Sequence, residues 1–225
     1  MAGNLKEGIR LFNLKRWDLA LQELLQVDKE KLDARENDEL AYYLGLCYTK
    51  LERFDDALLF LEQVVTANVD DHRVRQCRLT LAYIYVATKR SKMAEFELNQ
   101  LLKAGGESVQ VYTTLAYAAW SQKQFDKAVE LYEKALEIDG KSPNAMNGLG
   151  FILVDNGIDV PRGLYYCRSA VDAKPQNAAY LDSLGWAFYK SGEILEARTW
   201  LRRALDLAPQ AQEIRYHMKV VVGEA

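Results

Sequence analysis

A small residue returns at Ala20, Ala57, Ala94, Ala128, Gly163 and Ala197, at intervals of 37, 37, 34, 35 and 34 residues. A period near 34 is the length of one helical hairpin, which cannot bury its own apolar face, so copies must stack. The recurrence makes most of the 225-residue chain one supersecondary unit repeated six times. The functional question then moves from a catalytic constellation to the surface that stacked hairpins present.

The last copy is the clearest. Leu181, Leu184, Gly185 and Phe188 share one stripe, Ser191-Gly192-Glu193 breaks it, Ala197, Leu201 and Ala204 resume it, and Pro209 ends the unit. Spacings of three and four predict amphipathic helices, and the glycine predicts a tight turn between them. Gly185 and Ala197 fall where the paired helices cross, where a larger side chain would push the axes apart. The same frame runs through Gly8, Leu11, Ala20 and Leu24, then Leu44, Gly45, Tyr48, Ala57 and Leu61. It continues through Leu81, Ala82, Tyr85, Ala94 and Leu98, then Leu115, Ala116, Ala119, Ala128 and Tyr132, then Leu149, Gly150, Leu153, Gly163 and Cys167. Ser142-Pro143 reads as an N-cap followed by proline in the first helical turn. The copies spaced by 37 residues are expected to carry longer joins, with the charged residues 28–38 forming a helix extension and a solvated loop. Residues 210–222 continue with Ile214, Met218, Val221 and Val222 at helical spacing.

Composition removes several classes. Basic residues number 29 and acidic residues 32, a net charge of −3. That is not the basic excess of a nucleic-acid binder, so no nucleic-acid partner is expected. Hydrophobic residues at 49% and charged residues at 27% are ordinary for a packed chain and unlike a disordered one. No apolar run reaches the length of about 18 that a membrane-spanning segment needs. No apolar signal core follows the N-terminus, and removal of an upstream signal or lipid anchor stays open. Cys47, Cys77 and Cys167 each sit in a helical apolar pattern, with neither disulfide-framework nor zinc spacing. His72 and His217 fall in different copies and begin no metal motif; phosphate loops, nucleophile elbows and dinucleotide fingerprints are absent too. No catalytic residue, metal or cofactor is expected, and the chain is read as non-enzymatic.

The pattern of Leu-Gly, an aromatic three residues on, a small residue, an aromatic or leucine, alanine and proline resembles the tetratricopeptide repeat. The resemblance covers residues 1–34, 38–71, 75–108, 109–142, 143–177 and 178–211, and residues 210–222 resemble the helix that closes such arrays. It implies one domain, an all-α, right-handed superhelical solenoid of about six antiparallel helix pairs plus a C-terminal capping helix. Residues 143–211, with Asn147-Gly148-Leu149-Gly150-Phe151 and Leu181-Asp182-Ser183-Leu184-Gly185-Trp186, are similar to the terminal repeats of bacterial envelope-associated members that serve as adaptors. The unpaired cysteines pull instead toward a reducing cytoplasm, so envelope and cytoplasm both stay open.

The resemblance also implies that the first helix of each pair lines a concave groove. Its inward positions read as a row of aromatics: Tyr42 upstream, then Tyr83, Tyr117, Trp120, Phe151, Trp186 and Tyr189, with Asn144, Asn147, Asp182 and Lys190 among them. Rings at this spacing can simply pack helix on helix. They also offer large contact area at low entropy cost, and nearby amides can bond the backbone of an extended ligand. The expected function is an adaptor that holds a partner peptide or protein segment in this groove, in a bacterial multiprotein complex. The Lys–Asn pair that clamps a chaperone's C-terminal carboxylate in some members is missing, since those slots read Leu5 and Ile9, Tyr42 and Leu46, Leu79 and Tyr83, and Thr113 and Tyr117. Two alternatives remain at this point: a homo-oligomeric scaffold that stacks through its end faces, and a small-ligand binder.

Overall fold

The computed structural model describes residues 3–223; residues 1 and 2, which belong to the first repeat as read from the sequence, lie outside the described residues, as do 224 and 225. The described residues form α-helices only, apart from one 3-10 turn at Lys29–Lys31. The chain divides into two compact units, Met1–Gly106 and Glu107–Ala225. The first contains α1 (Leu5–Asn13), α2 (Trp17–Leu25), α3 (Ala34–Lys50), α4 (Phe54–Ala67), α5 (Asp71–Ala87) and α6 (Ser91–Lys103). The second contains α7 (Val109–Ser121), α8 (Phe125–Ile138), α9 (Pro143–Asp155), α10 (Val160–Ala173), α11 (Ala178–Lys190), α12 (Ile194–Leu207) and α13 (Gln212–Val222). Within each unit, consecutive helices pack as antiparallel pairs, and the second helix of one pair also touches the first helix of the next.

One turn joins the two helices of every pair. Lys15, Glu52, Lys89, Lys123, Gly157 and Gly192 each hold a left-handed backbone, with φ between 57° and 85°. The next N–H in each case donates five residues back, as from Arg16 to the Leu11 carbonyl and from Glu193 to the Phe188 carbonyl. This satisfies carbonyls that a helix end would otherwise leave unpaired. The second helices therefore start directly from the turn, mostly without a side-chain cap. First helices instead start from a capping side chain: Asn4, Asp33, Asp70, Ser108, Ser142 and Asn177 each accept backbone N–H bonds.

The recurring small residues sit at the crossings. Ala20, Ala57, Ala94, Ala128 and Ala197 are fully buried, as is Gly163. A Cβ on Gly150 would lie 2.8 Å from the Gly163 carbonyl oxygen, and one on Gly185 would lie 2.7 Å from Leu201 Cγ. Residues 28–38 form the expected loop and helix extension, but the longer join expected before the third copy is absent. Helices α3 and α5 are 17 residues long against 13 in α7, α9 and α11. The extra residues add a turn to the first helix of the pair, and the join before α5 is only residues 68–70. A longer join exists before α3 alone, where Asp33 and Glu36 close a reciprocal capping box. At the far end, Ile214 and Val221 of α13 enter the same core as Leu184, Trp186, Leu201 and Ala204.

Candidate functional site

Helices α7, α8, α9, α11 and α13 of the second unit surround an open cavity of about 270 Å³. Tyr117 and Trp120 come from one face of α7, three residues apart, and Asn144, Asn147 and Phe151 from one face of α9. Asp182 of α11 and Glu213 of α13 complete the rim, with Tyr132 of α8 beneath. Gly148 makes that arrangement possible, because a Cβ there would overlap the Tyr132 ring.

The rings form a connected row. Tyr117 and Trp120 have centroids 5.3 Å apart and tilted, and Trp120 meets Phe151 edge to face at 6.0 Å. Both separations lie in the favourable range for aromatic pairs. Tyr117 keeps 45% of its surface exposed. Burial, with a smaller contribution from the Glu213 carboxylate, pushes the Tyr117 hydroxyl above its ordinary pKa. Tyr132 is pushed up in the same direction, by burial first and by Tyr117 second. Both hydroxyls therefore stay protonated and able to donate at neutral pH. In the middle of this lining, Asn147 Oδ1 is shielded from water and has no hydrogen-bond partner. A buried acceptor left in that state costs about 1–3 kcal/mol.

A second cluster lies along α11. His217 of α13 places Nδ1 2.9 and 3.0 Å from the two oxygens of Asp182. Both residues are buried. The His217 ring stacks on Trp186 at 4.3 Å and lies 6.3 Å from Phe151. Trp186 donates its Nε1–H to Asp155 Oδ1 at 2.9 Å, and Lys190 donates to the Asp155 carbonyl at 3.0 Å while lying 5.3 Å over the indole. Tyr189 stacks on the same indole at 5.1 Å.

The residues expected to line a groove thus separate into three groups. Tyr117, Trp120, Asn144, Asn147, Phe151 and Asp182 border one cavity. Trp186, Tyr189 and Lys190 form the neighbouring cluster that His217 and Asp155 close. Tyr42 and Tyr83 belong to the first unit. There Tyr42 is half-buried edge to face with Tyr43 at 5.2 Å, and burial above all pushes its hydroxyl up to about 12. Tyr83 is exposed and lies edge to face with Phe54 at 6.5 Å. Four contributors escaped the sequence reading: Tyr132, Asp155, Glu213 and His217. Tyr132 was visible as a core ring only, and α13 lies outside the repeat, so no periodic position marks its polar residues.

The thiols of Cys47, Cys77 and Cys167 are buried, and burial pushes each up to about 12, far from a reactive thiolate. Among the described residues no three His, Cys, Asp or Glu side chains are grouped to hold a metal ion.

Comparison with known proteins fixes the class. One tetratricopeptide repeat model matches residues 109–142 and a second matches residues 5–71 and 161–212. The chain belongs to the tetratricopeptide repeat family, whose members are in general non-catalytic scaffolds for protein–protein interaction. It is similar to human protein O-mannosyl-transferase TMTC1, with 25% identity over 195 residues that make up 84% of this chain and 22% of that protein. It is similar to the bovine BBSome complex member BBS4, at 23% identity over 98% of this chain and 45% of that one. A tetratricopeptide repeat-containing protein of Pseudomonas aeruginosa, PA4667, shares 32% identity over 74 residues, 33% of this chain and 12% of that protein. The chain spans less than half the length of each of these relatives. A tetratricopeptide repeat protein from Parabacteroides merdae has the same fold, with a TM-score of 0.73 at 13% identity over 97% of this chain and 82% of that one. So does YrrB, a family member with an unusual peptide-binding site, at a TM-score of 0.57 and 19% identity over 90% of this chain and 97% of that one.

Proposed function

We propose that the second unit holds an extended segment of a partner protein against Tyr117, Trp120, Asn147 and Phe151, so that the chain acts as an adaptor. The observation that carries this reading is the row of Tyr117, Trp120 and Phe151 along an open cavity, with Tyr117 45% exposed and the Asn147 amide on the same lining. Such an amide can bond the backbone of an extended ligand without requiring a particular side chain. The rings supply anchors that bury apolar area while their polar tips stay hydrated. The peptide-binding site ascribed to YrrB, which shares the fold, supports the same use of the architecture here. The transferase activity in the name of TMTC1 belongs to a protein of which this chain matches 22%, and it is not part of the proposal. The same proposal places the partner in a bacterial multiprotein complex, the setting that residues 143–211 resemble.

The test is selection of random dodecapeptides on the full chain, followed by anisotropy titration of the selected peptides. Trp120→Ala should weaken them about thirtyfold, the equivalent of about 2 kcal/mol for one aromatic anchor. Asn147→Ala should weaken them less. Unchanged affinity in both variants, with helical content intact, would reject the groove.

A further inference from the structure

We propose that the cavity of the second unit receives a cationic side chain of the partner segment, an arginine guanidinium. This inference rests on the groove reading above and adds the chemistry of its ligand. The charged side chains on the cavity are Asp182 and Glu213, and no lysine or arginine lines it. Asp182 is already bonded to His217. Glu213 is exposed on the first turn of α13 and makes no ion pair among the described residues. An anionic ligand would face the Glu213 carboxylate with no lysine or arginine in the lining to offset it. A purely apolar side chain would contact Tyr117 and Trp120 yet gain nothing from the Glu213 carboxylate.

A guanidinium suits both the rings and the charge. Its plane stacks on an aromatic face, its N–H fork can hold a carboxylate with two bonds, and its charge complements Glu213. A compact ammonium satisfies the charge but offers no plane to stack. The cavity volume of about 270 Å³ falls just below the range of small-molecule pockets, about 300–1,000 Å³, and suits a single long side chain.

The experiment uses the dodecapeptides selected on the full chain. They should share an arginine, and replacing it with citrulline, its uncharged isostere, should weaken binding about tenfold. Lysine in its place should recover part of the loss. Glu213→Gln should weaken the arginine peptide about fivefold and leave the citrulline peptide unchanged, because the lost interaction needs both charges. Glu213 is exposed, so an unchanged melting midpoint separates this loss from misfolding. Peptides that are sensitive to Trp120→Ala but bind equally well as citrulline forms would overturn the arginine assignment and leave the groove standing. Peptides indifferent to both Trp120→Ala and Glu213→Gln would overturn both.

Discussion

The two units build on one repeat frame and secure their polar interiors differently. In the first, α5 begins one turn early, and Arg73 on that added turn reaches back to Asp38 at 3.1 Å and Glu39 at 3.0 Å on α3. Arg78 and Glu97 form a further partly buried pair at 2.5 Å. Burial still raises the Glu97 pKa despite that partner. In the second, the first helices begin in frame from Ser108, Ser142 and Asn177 caps, and the buried polar centre is Asp182 with His217 inside a row of rings. A few residues at a helix start therefore decide whether neighbouring pairs are tied by ions or leave room for a cavity. The frame sets the crossings, and departures from the frame set the surface chemistry.

Removing one ring at the same register position in each unit is the strongest way to break this contrast. Tyr83 and Trp186 both follow the small residue of the crossing, at Ala82 and Gly185. Trp186 is 7% exposed and Tyr83 is 55% exposed. Trp186→Ala should cost about 3–5 kcal/mol in urea unfolding, the usual range for a large buried ring. Tyr83→Ala should cost less than about 0.5 kcal/mol, as surface changes do. Equal losses would mean that the groove register has one environment throughout. Next in size is Arg73→Met, which leaves the Asp38 carboxylate buried without its cation; the Asp38 side chain is 1% exposed and its Oδ1 already has no partner. Loss of a partner from a fully buried pair costs about 3–5 kcal/mol, and the 21% exposure of Arg73 reduces that to about 2 kcal/mol. Adding Asp38→Leu should restore most of it in thermal unfolding. An Arg73→Met protein as stable as the parent would show that the ions do not tie α3 to α5.

These contrasts mark how far the sequence could be read. The crossings at Gly45, Gly150 and Gly185 and the paired helices were legible, because a 34-residue period leaves few ways to bury the apolar stripe. The aromatic row and its amides were legible as a set, from Tyr117 to Asp182. What lay beyond reach was the division of that set. Whether Trp186 faces a ligand or a neighbour depends on where α13 settles, and α13 carries no repeat signal. The added turn of α5 was hidden for a related reason: a spacing of 37 counts extra residues without saying whether they coil into a helix or loop out.

The smallest contrast lies in the turns. In the turns within helix pairs, the left-handed positions are Lys15, Glu52 and Lys89 in the first unit and Lys123, Gly157 and Gly192 in the second. A residue with a Cβ pays about 1–2 kcal/mol in that conformation, and glycine pays about 0.5–1 kcal/mol through the entropy it loses on folding. The balance favours glycine by about 0.5 kcal/mol per site. Replacing Lys15, Glu52 and Lys89 by glycine together should therefore stabilise the first unit by about 1–2 kcal/mol. In the reverse direction Gly192→Ala, where nothing lies within 4 Å of the added Cβ, should cost about 0.5 kcal/mol, the same balance with its sign reversed. The three buried cysteines give a readout that assigns the gain to a unit. Cys47 and Cys77 report the first, and Cys167 reports the second. Slower thiol labelling in mild urea should be confined to Cys47 and Cys77 in the triple-glycine protein. Equal slowing at Cys167 would mean that the units open together, and no slowing anywhere would mean that the turns carry no strain to release.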